Sequence, residues 1–189
     1  MWSLESKTDT IETWAYAPNT LTKEQCDQVI KLGESLIPDV ASTAGGLCPD
    51  VRDSKVSWIH PSQESEWLFR HMTDLVINVN NKFFKFELEG FNEGFQFTKY
   101  EAPAGKYDAH VDKSFGRGIR KLSVVVQLSD PADYEGGELC IQTSNQPQPM
   151  KKEQGYLVAF PSYVLHGVTP VTKGTRYSLV AWVTGPAFK

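Results

Sequence analysis

The sequence predicts a mainly β fold of the α+β class, a jelly roll with N-terminal helices packed against one outer face. Two segments before residue 83 have apolar residues at helical spacing, whereas residues 83–185 alternate short β-branched runs with Gly, Pro, Asn and Asp turns. About eight short strands at this spacing are typical of a sandwich or jelly roll. We therefore expect one domain over residues 1–189, with a helical support and substrate-loop region at 1–82 and a jelly-roll core at 83–185.

Composition narrows the classes of partner. The 189 residues include 40% hydrophobic and 22% charged residues, a balance typical of globular proteins that bury one core. The net charge of -4 argues against binding to nucleic acid or to an anionic membrane, because both usually require a basic face. We expect no nucleic-acid or membrane partner and a monomer or weak homo-oligomer.

The three cysteines and the N-terminus indicate a cytoplasmic protein. Cys26, Cys48 and Cys140 lie far apart and form no C-x-x-C pair, so they predict neither a disulfide framework nor a zinc finger. The first residues, MWSLESKTDTIETW, lack a basic region followed by an apolar one, and no segment reaches the roughly 18 apolar residues that span a bilayer.

Two helices are predicted by their starts and their apolar stripes. Thr22 and Gln25 form a capping box for the first helix. The second follows Pro61, with Ser62 as its candidate cap. The stripes that we expect to face the core are Cys26, Val29, Ile30 and Leu36 in the first helix, and Trp67, Leu68, Met72, Leu75, Val76 and Val79 in the second.

The strands are predicted by alternation and by the turns that bound them. Between the helices, an irregular stretch, DVASTAGGLCPD, precedes the strand-like VRDSKVSWI. In the second half we expect strands at 83–89, 93–101, 107–112, 119–129, 137–142, 154–160, 165–169 and 175–184.

A candidate metal site joins two distant motifs. His110 and Asp112 in KYDAHVDKSFG would share a strand face, because residues two apart point the same way. With His166 in FPSYVLHGVTPV they give two imidazoles and a carboxylate, a facial triad suited to Fe(II). The same ligands could hold zinc for hydrolysis, or could belong to a cupin-like binding module without catalysis. A hydrolase needs a general base, and although Glu101 and Asp108 are available in the sequence, neither is expected to share a strand face with the ligands.

Arg176 adds a carboxylate-binding group. It lies in the β-rich run GTRYSLVAWV, where a long cation is costly to bury without an anion. Ser178 shares its strand face, so the guanidinium and the hydroxyl could hold one carboxylate together.

Taken as a set, these motifs resemble the prolyl 4-hydroxylase group of Fe(II)/2-oxoglutarate dioxygenases, which includes the oxygen-sensing prolyl hydroxylases and the bacterial PKHD-type hydroxylases. The resemblance covers roughly residues 50–185. It rests on YEAPAGKYDAHVD, KLSVVVQLSDPADYEGGEL, FPSYVLHGVTPV and GTRYSLVAW, which occur in the family's order and at about its spacing.

The resemblance implies a cupin-like double-stranded β-helix and a set of cofactors. His110, Asp112 and His166 would be the iron ligands and catalytic centre, and Arg176 would pair with the C5 carboxylate of 2-oxoglutarate, assisted by Ser178. Fe(II), 2-oxoglutarate and dioxygen are thus the expected cofactor and co-substrates, with ascorbate supporting full activity.

Further residues match the family's co-substrate pocket. Tyr100 and Tyr107 correspond to the two tyrosines of its Y…GxxYxxHxD run, and Tyr100 would donate a hydrogen bond to the co-substrate. Gln127 stands where the oxygen sensors have a tyrosine that assists the C5 carboxylate, and arginine stands at 176 where collagen-type enzymes have lysine. Either change preserves a donor for a carboxylate.

The substrate side of the resemblance involves three residues and two loops. Arg52, expected in a mobile loop, and Trp58 match a segment that lines the family's peptide groove, and Trp182 matches a pocket tryptophan. The Gly-containing loops 41–55 and 113–118 are candidate lids.

The resemblance implies hydroxylation of a prolyl residue in a peptide or protein, with succinate and CO₂ as co-products. The same chemistry on a free amino acid or other small molecule is the nearest alternative.

Overall fold

The computed structural model describes residues 12–40, 50–113 and 119–187. In these segments, two α-helices and thirteen short and long strands alternate along the chain. The helices are α1 (Lys23–Ser35) and α2 (Glu66–Val79), the latter continued by a π-helical turn, Asn80–Phe84. The strands are β1 (Ala15–Ala17), β2 (Asp39–Val40), β3 (Arg52–Asp53), β4 (Lys55–Ile59), β5 (Phe95–Glu101), β6 (Lys106–His110), β7 (Ile119–Gln127), β8 (Tyr134–Gly136), β9 (Leu139–Gln142), β10 (Gln148–Pro149), β11 (Leu157–Pro161), β12 (Leu165–Val168) and β13 (Val171–Gly185).

The strands form two antiparallel sheets, which confirms the predicted jelly roll. Within the described residues, the major sheet has the order β1-β11-β7-β13-β5-β4-β2, with β8 paired to β13. The minor sheet has the order β10-β9-β12-β6-β3. Apart from β9 and β10, which are joined by a short loop, most neighbouring strands are distant in sequence, as expected of a roll rather than a meander.

Alternation along the central strands separates two apolar layers. On β7 and β13 one set of side chains packs beneath the helices, namely Leu122, Val124, Val126, Leu179, Ala181 and Val183. The intervening positions face the minor sheet, where Val125 packs with Ile141 and Val168. Because side chains alternate across a strand, Ser123 of β7 and Arg176 and Ser178 of β13 lie on this inner face.

Both helices cover the outer face of the major sheet, as predicted. The capping box of α1 is present: Thr22 Oγ1 accepts from the Gln25 amide, and Gln25 Oε1 accepts from the Thr22 amide. From the two predicted stripes, the buried members are Cys26, Val29, Leu68, Met72, Val76 and Val79. Helix α2 begins later than predicted, with Ser65 rather than Ser62 as the N-cap.

The strand predicted at 83–89 is wrong. Helix α2 runs on through the π-helical turn, and Lys85 then takes a left-handed conformation with φ of 55°. The Asn80 side chain closes the turn by bonding both the amide and the carbonyl of Phe86. Phe84, Phe86 and Leu88 alternate in sequence, which suggested a strand, but all three pack against the helical layer.

The remaining predicted strands are found with altered ends. The predicted strand 107–112 stops at His110, and the predicted strand 137–142 begins later, as β9 at Leu139, with the short strand β8 preceding it. VRDSKVSWI contributes β3 to the minor sheet and β4 to the major sheet. No helix in the described segments is long and apolar enough to cross a membrane.

Candidate active site

A cavity of about 470 Å³ opens between the inner faces of the two sheets. It brings together most of the residues predicted for the site. Those that line it are Arg52, Trp58, Tyr100, Tyr107, His110, Asp112, His166, Arg176, Ser178 and Trp182.

The three predicted metal ligands converge on one wall of this cavity. His110 is the last residue of β6 and pairs directly with His166 on β12. Asp112 Oδ1 lies 3.6 Å from His110 Nε2, and Asp112 Oδ2 lies 3.4 Å from His166 Nε2. The potential ligand atoms lie within 4.8 Å of one another, close enough for a single ion.

Hydrogen bonds prepare both imidazoles for a metal. Nδ1 of His110 lies 2.8 Å from the Asp108 carbonyl, and Nδ1 of His166 lies 3.0 Å from the Val164 carbonyl. A carbonyl only accepts, so each Nδ1 carries the proton and each Nε2 presents its lone pair to the cavity. The donor set therefore fits Fe(II) bound by two neutral imidazoles and a carboxylate.

The surroundings of Asp112 favour its charged form, which is the form that binds a metal. Burial disfavours the charged carboxylate, but its contacts with His110 and His166 outweigh burial and hold the pKa of Asp112 well below its ordinary value. For His166, burial lowers the pKa, and the opposing attraction to Asp112 raises it overall.

The prediction that a shared strand face brings Asp112 beside His110 is wrong. The two do not share a strand face, because β6 ends at His110 and Asp112 lies in the segment that follows. Ser123 on β7 instead donates to Asp112 Oδ2 at 2.7 Å. Asp112 is thus fixed by a contact from the major sheet.

Arg176 is the most deeply buried charged group of the cavity, with 1% of its surface exposed. Its Nη2 donates to Gln127 Oε1 at 2.8 Å, and its Nη1 lies 3.5 Å from Ser178 Oγ. Among the described residues, Arg176 Nε has no hydrogen-bond partner. A buried guanidinium that has an unused donor and, within the described part of the chain, no carboxylate at bonding distance fits a ligand that brings its own carboxylate.

Gln127 differs from its predicted role. It does not line the cavity in the described structure. Its Oε1 accepts from Arg176, and its Nε2 donates towards the Lys151 carbonyl at 3.4 Å. The side chain therefore orients Arg176 rather than presenting a donor to the cavity.

A glycine makes room for Arg176. Gly137, in the turn between β8 and β9, has φ of +60°, and a Cβ built there would lie 3.0 Å from Arg176 Cδ. Only glycine combines this backbone conformation with so close an approach at low cost. The backbone conformation and the position of Arg176 thus explain why the second glycine of YEGGEL is a glycine.

Two tyrosines flank the polar groups. Tyr100 pairs with Arg176 across β5 and β13, and the guanidinium carbon lies 5.2 Å from its ring centre. The Tyr107 ring stacks on His110 with 3.5 Å between ring centres. Burial is the main reason that the pKa of Tyr107 is raised, so its hydroxyl remains a proton donor at neutral pH.

Arg52 is not in a loop, contrary to the prediction. It lies on β3, paired with Tyr107 of β6, and is 8% exposed. Its guanidinium carbon lies 4.4 Å from the Tyr107 ring centre, and its Nε donates to Ser54 Oγ. The Arg52 side chain therefore packs as part of the cavity wall.

An aromatic pair forms another part of the lining. The ring centres of Trp58 and Trp182 lie 6.1 Å apart. The guanidinium of Arg120 stacks on Trp182 at 3.7 Å and forms an ion pair with Glu93. Neither Arg120 nor Glu93 was predicted from the sequence, since their pairing depends on the return of a distant strand.

Acidic groups are scarce in the cavity. Among the described lining residues, Asp112 is the sole carboxylate. Glu101 is ion-paired with Lys55 and Lys99, and Asp108 with Lys106. The general base that a zinc hydrolase would need is therefore missing from the described lining. Of the candidate lids, residues 41–49 and 114–118 lie outside the described residues, whereas 52–53 form β3.

Comparison with known proteins decides the family. Residues 95–184 match the model of the 2OG-Fe(II) oxygenase superfamily. A PKHD-type hydroxylase from Prochlorococcus marinus strain SARG is 32% identical over 165 residues, which cover 85% of this chain and 72% of the relative. The chain belongs to the 2OG-Fe(II) oxygenase superfamily. A second PKHD-type hydroxylase, from strain NATL1A, is 30% identical to this oxygenase over 82% of the chain and 69% of the relative.

Solved structures share the fold of this oxygenase. A prolyl-4-hydroxylase from Pseudomonas putida superposes with a TM-score of 0.73 at 21% identity, covering 93% of this chain and 94% of the other. A prolyl hydroxylase from Trichoplax adhaerens, in complex with a hypoxia inducible factor peptide, gives 0.77 at 20% identity, covering 92% and 84%. A viral collagen prolyl hydroxylase from Paramecium Bursaria Chlorella virus-1 superposes with a TM-score of 0.70 at 20% identity, covering 93% of this chain and 97% of the other.

The family assigns the cofactors. The oxygenase uses Fe(II), held by His110, Asp112 and His166, together with 2-oxoglutarate. When bound, the iron supplies the oxidising chemistry that couples decarboxylation of 2-oxoglutarate to oxidation of a substrate C–H bond.

Proposed function

We propose that this oxygenase hydroxylates a prolyl residue in a peptide or protein and releases succinate and CO₂. The observation that carries the proposal is the composition of its cavity. The triad and Arg176 line the cavity with the aromatic pair Trp58 and Trp182, and Asp112 is the sole carboxylate among the described lining residues.

The polar end of the cavity suits 2-oxoglutarate. In the proposed arrangement, Arg176 and Ser178 hold the far carboxylate, Tyr100 donates a hydrogen bond to the co-substrate, and Gln127 keeps Arg176 in place. The assignment is supported by Arg176 Nε, for which the described segments provide no hydrogen-bond partner. Holding the co-substrate at both ends fixes its orientation beside the metal ligands.

The remaining lining suits a neutral, apolar target. Trp58 and Trp182 offer aromatic surface, and proline presents an uncharged ring. A free amino acid would instead bring an ammonium group that needs an anion, and Asp112 is already engaged by His110, His166 and Ser123. The cavity therefore favours a prolyl residue within a chain over free proline.

The structural neighbours support the same assignment. One neighbour is a prolyl hydroxylase in complex with a peptide fragment, and another is a collagen prolyl hydroxylase. At about 20% identity they show a shared fold, so the peptide substrate of this oxygenase remains our proposal.

Mass spectrometry tests the proposal. Proline-containing peptides are incubated with protein, Fe(II), 2-oxoglutarate and ascorbate, and each product is searched for the gain of one oxygen atom and fragmented to locate it. We expect oxygen on proline, and none with Asp112→Ala. Decarboxylation of 2-oxoglutarate stimulated by free amino acids, with every peptide unmodified, would overturn the prolyl peptide and favour the small-molecule alternative.

A further inference from the structure

Two buried serines lie behind the carboxylate of the metal triad. Ser123 on β7 and Ser162, directly after β11, each have 0% of their surface exposed. Ser123 Oγ lies 2.7 Å from Asp112 Oδ2, and the two hydroxyl oxygens lie 2.9 Å apart. Neither serine lines the cavity, so neither can contact a substrate directly.

The direction of these hydrogen bonds follows from counting protons. A charged carboxylate only accepts, so Ser123 donates its one hydroxyl proton to Asp112. Ser123 then has no proton left for its neighbour, and Ser162 must be the donor in the second bond. Ser162 therefore donates to Ser123, and Ser123 donates to Asp112. We call this pair of hydrogen bonds the relay.

Backbone hydrogen bonds also connect the residue after Asp112 to Ser162. The amide of Lys113 donates to the Ser162 carbonyl at 2.9 Å, and the amide of Ser162 donates to the Lys121 carbonyl at 3.0 Å. Because Asp112 lies beyond the end of β6, its position depends on these contacts rather than on the sheet that carries His110 and His166.

The relay treats the two oxygens of Asp112 differently. Oδ2 receives the Ser123 proton and faces His166, whereas Oδ1 faces His110 at 3.6 Å and has no hydroxyl donor among the described residues. A hydrogen bond occupies a lone pair of Oδ2 and reduces its capacity to bind a cation.

We propose that Ser123 is a positioning residue that keeps Asp112 a one-oxygen ligand through Oδ1, and that Ser162 orients Ser123 for this task. A carboxylate that turned to bind through both oxygens would occupy a coordination position needed by 2-oxoglutarate or dioxygen. The relay thus preserves open positions at the metal. This inference concerns the metal site alone and does not depend on a prolyl substrate.

Metal binding without substrate tests the proposal. Mn(II), a redox-stable probe, is titrated into metal-free protein by calorimetry, and the number of water molecules on the bound Mn(II) is measured by proton relaxation. The variants are Ser123→Ala, Ser123→Thr, Ser162→Ala and, as a control, Ser57→Ala, a buried serine (3% exposed) on β4 outside the cavity.

We expect Ser123→Ala to remove one water from the bound ion, because Oδ2 becomes free to bind. We also expect Mn(II) binding to weaken by about tenfold or more, because Asp112 loses the side-chain contact that orients it beyond the end of β6. Ser123→Thr, which keeps the hydroxyl, should retain the wild-type water count, and Ser162→Ala should show a smaller loss of affinity in the same direction. Ser57→Ala should change neither quantity.

Wild-type affinity and water count in Ser123→Ala would overturn the proposal. If that variant does not fold, as judged by its circular dichroism, Ser162→Ala decides the question. An unchanged Mn(II) affinity and water count there would contradict the relay.

Discussion

Gln127 and Arg176 show how a neutral side chain controls a buried cation. Gln127 accepts a hydrogen bond from Arg176 without neutralising it, so the positive charge remains available to a ligand. A glutamate at the same place would form a buried ion pair and compete with any incoming carboxylate.

We therefore expect Gln127→Glu to raise KM for 2-oxoglutarate at least about tenfold, about 1.4 kcal/mol of binding. The measurement is succinate formation at varied 2-oxoglutarate. Gln154→Glu is the matched control, since Gln154 also donates to a backbone carbonyl, that of Leu128, but among the described residues it is not one of the side chains that accept a hydrogen bond from Arg176. An unchanged KM in Gln127→Glu would contradict the assigned role of Arg176 and its partner.

Cys26 gives a second prediction at this scale. Burial raises the pKa of its thiol to about 11, so at pH 8 the thiol is protonated and inaccessible. Ionisation, and with it reactivity, should increase only as pH approaches that value. Iodoacetamide at pH 8 should leave Cys26 unlabelled in native protein and label it in urea, as read by peptide mass spectrometry. Equal labelling in both states would show that α1 is not packed as described.

The sequence predicts residues whose chemistry is distinctive and misses those whose role is supportive. The sequence identifies four site residues, His110, Asp112, His166 and Arg176. Two histidines, an aspartate and an arginine in a β-rich segment form a combination that points to a metal site beside a carboxylate-binding group. Ser123 could not be identified, since a serine in a run of valines has no signature until the strand is paired.

At the scale of elements, helix α1 depends on a close approach to the major sheet. Gly33 lies against Phe97 of β5, and a Cβ at residue 33 would meet the ring at 2.3 Å. Alanine gains up to about 1 kcal/mol of helix propensity over glycine. A clash of this size in a packed core typically costs about 1–3 kcal/mol.

The clash should therefore outweigh propensity, and Gly33→Ala should lower the free energy of unfolding. Denaturant titration measures the change, with Lys31→Ala on the exposed side of the same helix as the control, expected within about 0.5 kcal/mol of wild type. Stabilisation by Gly33→Ala would show that α1 sits further from β5 than described.

Element type was predictable where one periodicity dominated. The apolar stripes predict α1 and α2, the alternation predicts β5, β7 and β13, and the structure confirms all five elements. The segment 83–89 was not predictable in this way, because alternating aromatic residues serve a turn that packs against helices as well as they serve a strand. The local sequence also predicts a loop at Arg52, because the pairing of β3 with β6 is a long-range contact that it does not show.

At the scale of the molecule, the site exists because two sheets contribute complementary parts. The minor sheet carries His110 and His166, whereas the major sheet supplies Arg176, Ser178 and the serine that holds Asp112. The order of motifs along the chain was enough to predict that these groups converge. It could not predict the cavity's shape or how Asp112 is supported, because both depend on how the two sheets pack.

Turnover of 2-oxoglutarate tests the central claim most directly. Purified protein is supplied with Fe(II), ascorbate and 2-oxoglutarate, and succinate is measured beside that formed by Asp112→Ala and by the control Ser57→Ala. We predict Fe(II)-dependent succinate from the wild type and from Ser57→Ala, and none above background from folded Asp112→Ala. Succinate formation at the wild-type rate by Asp112→Ala would contradict the account.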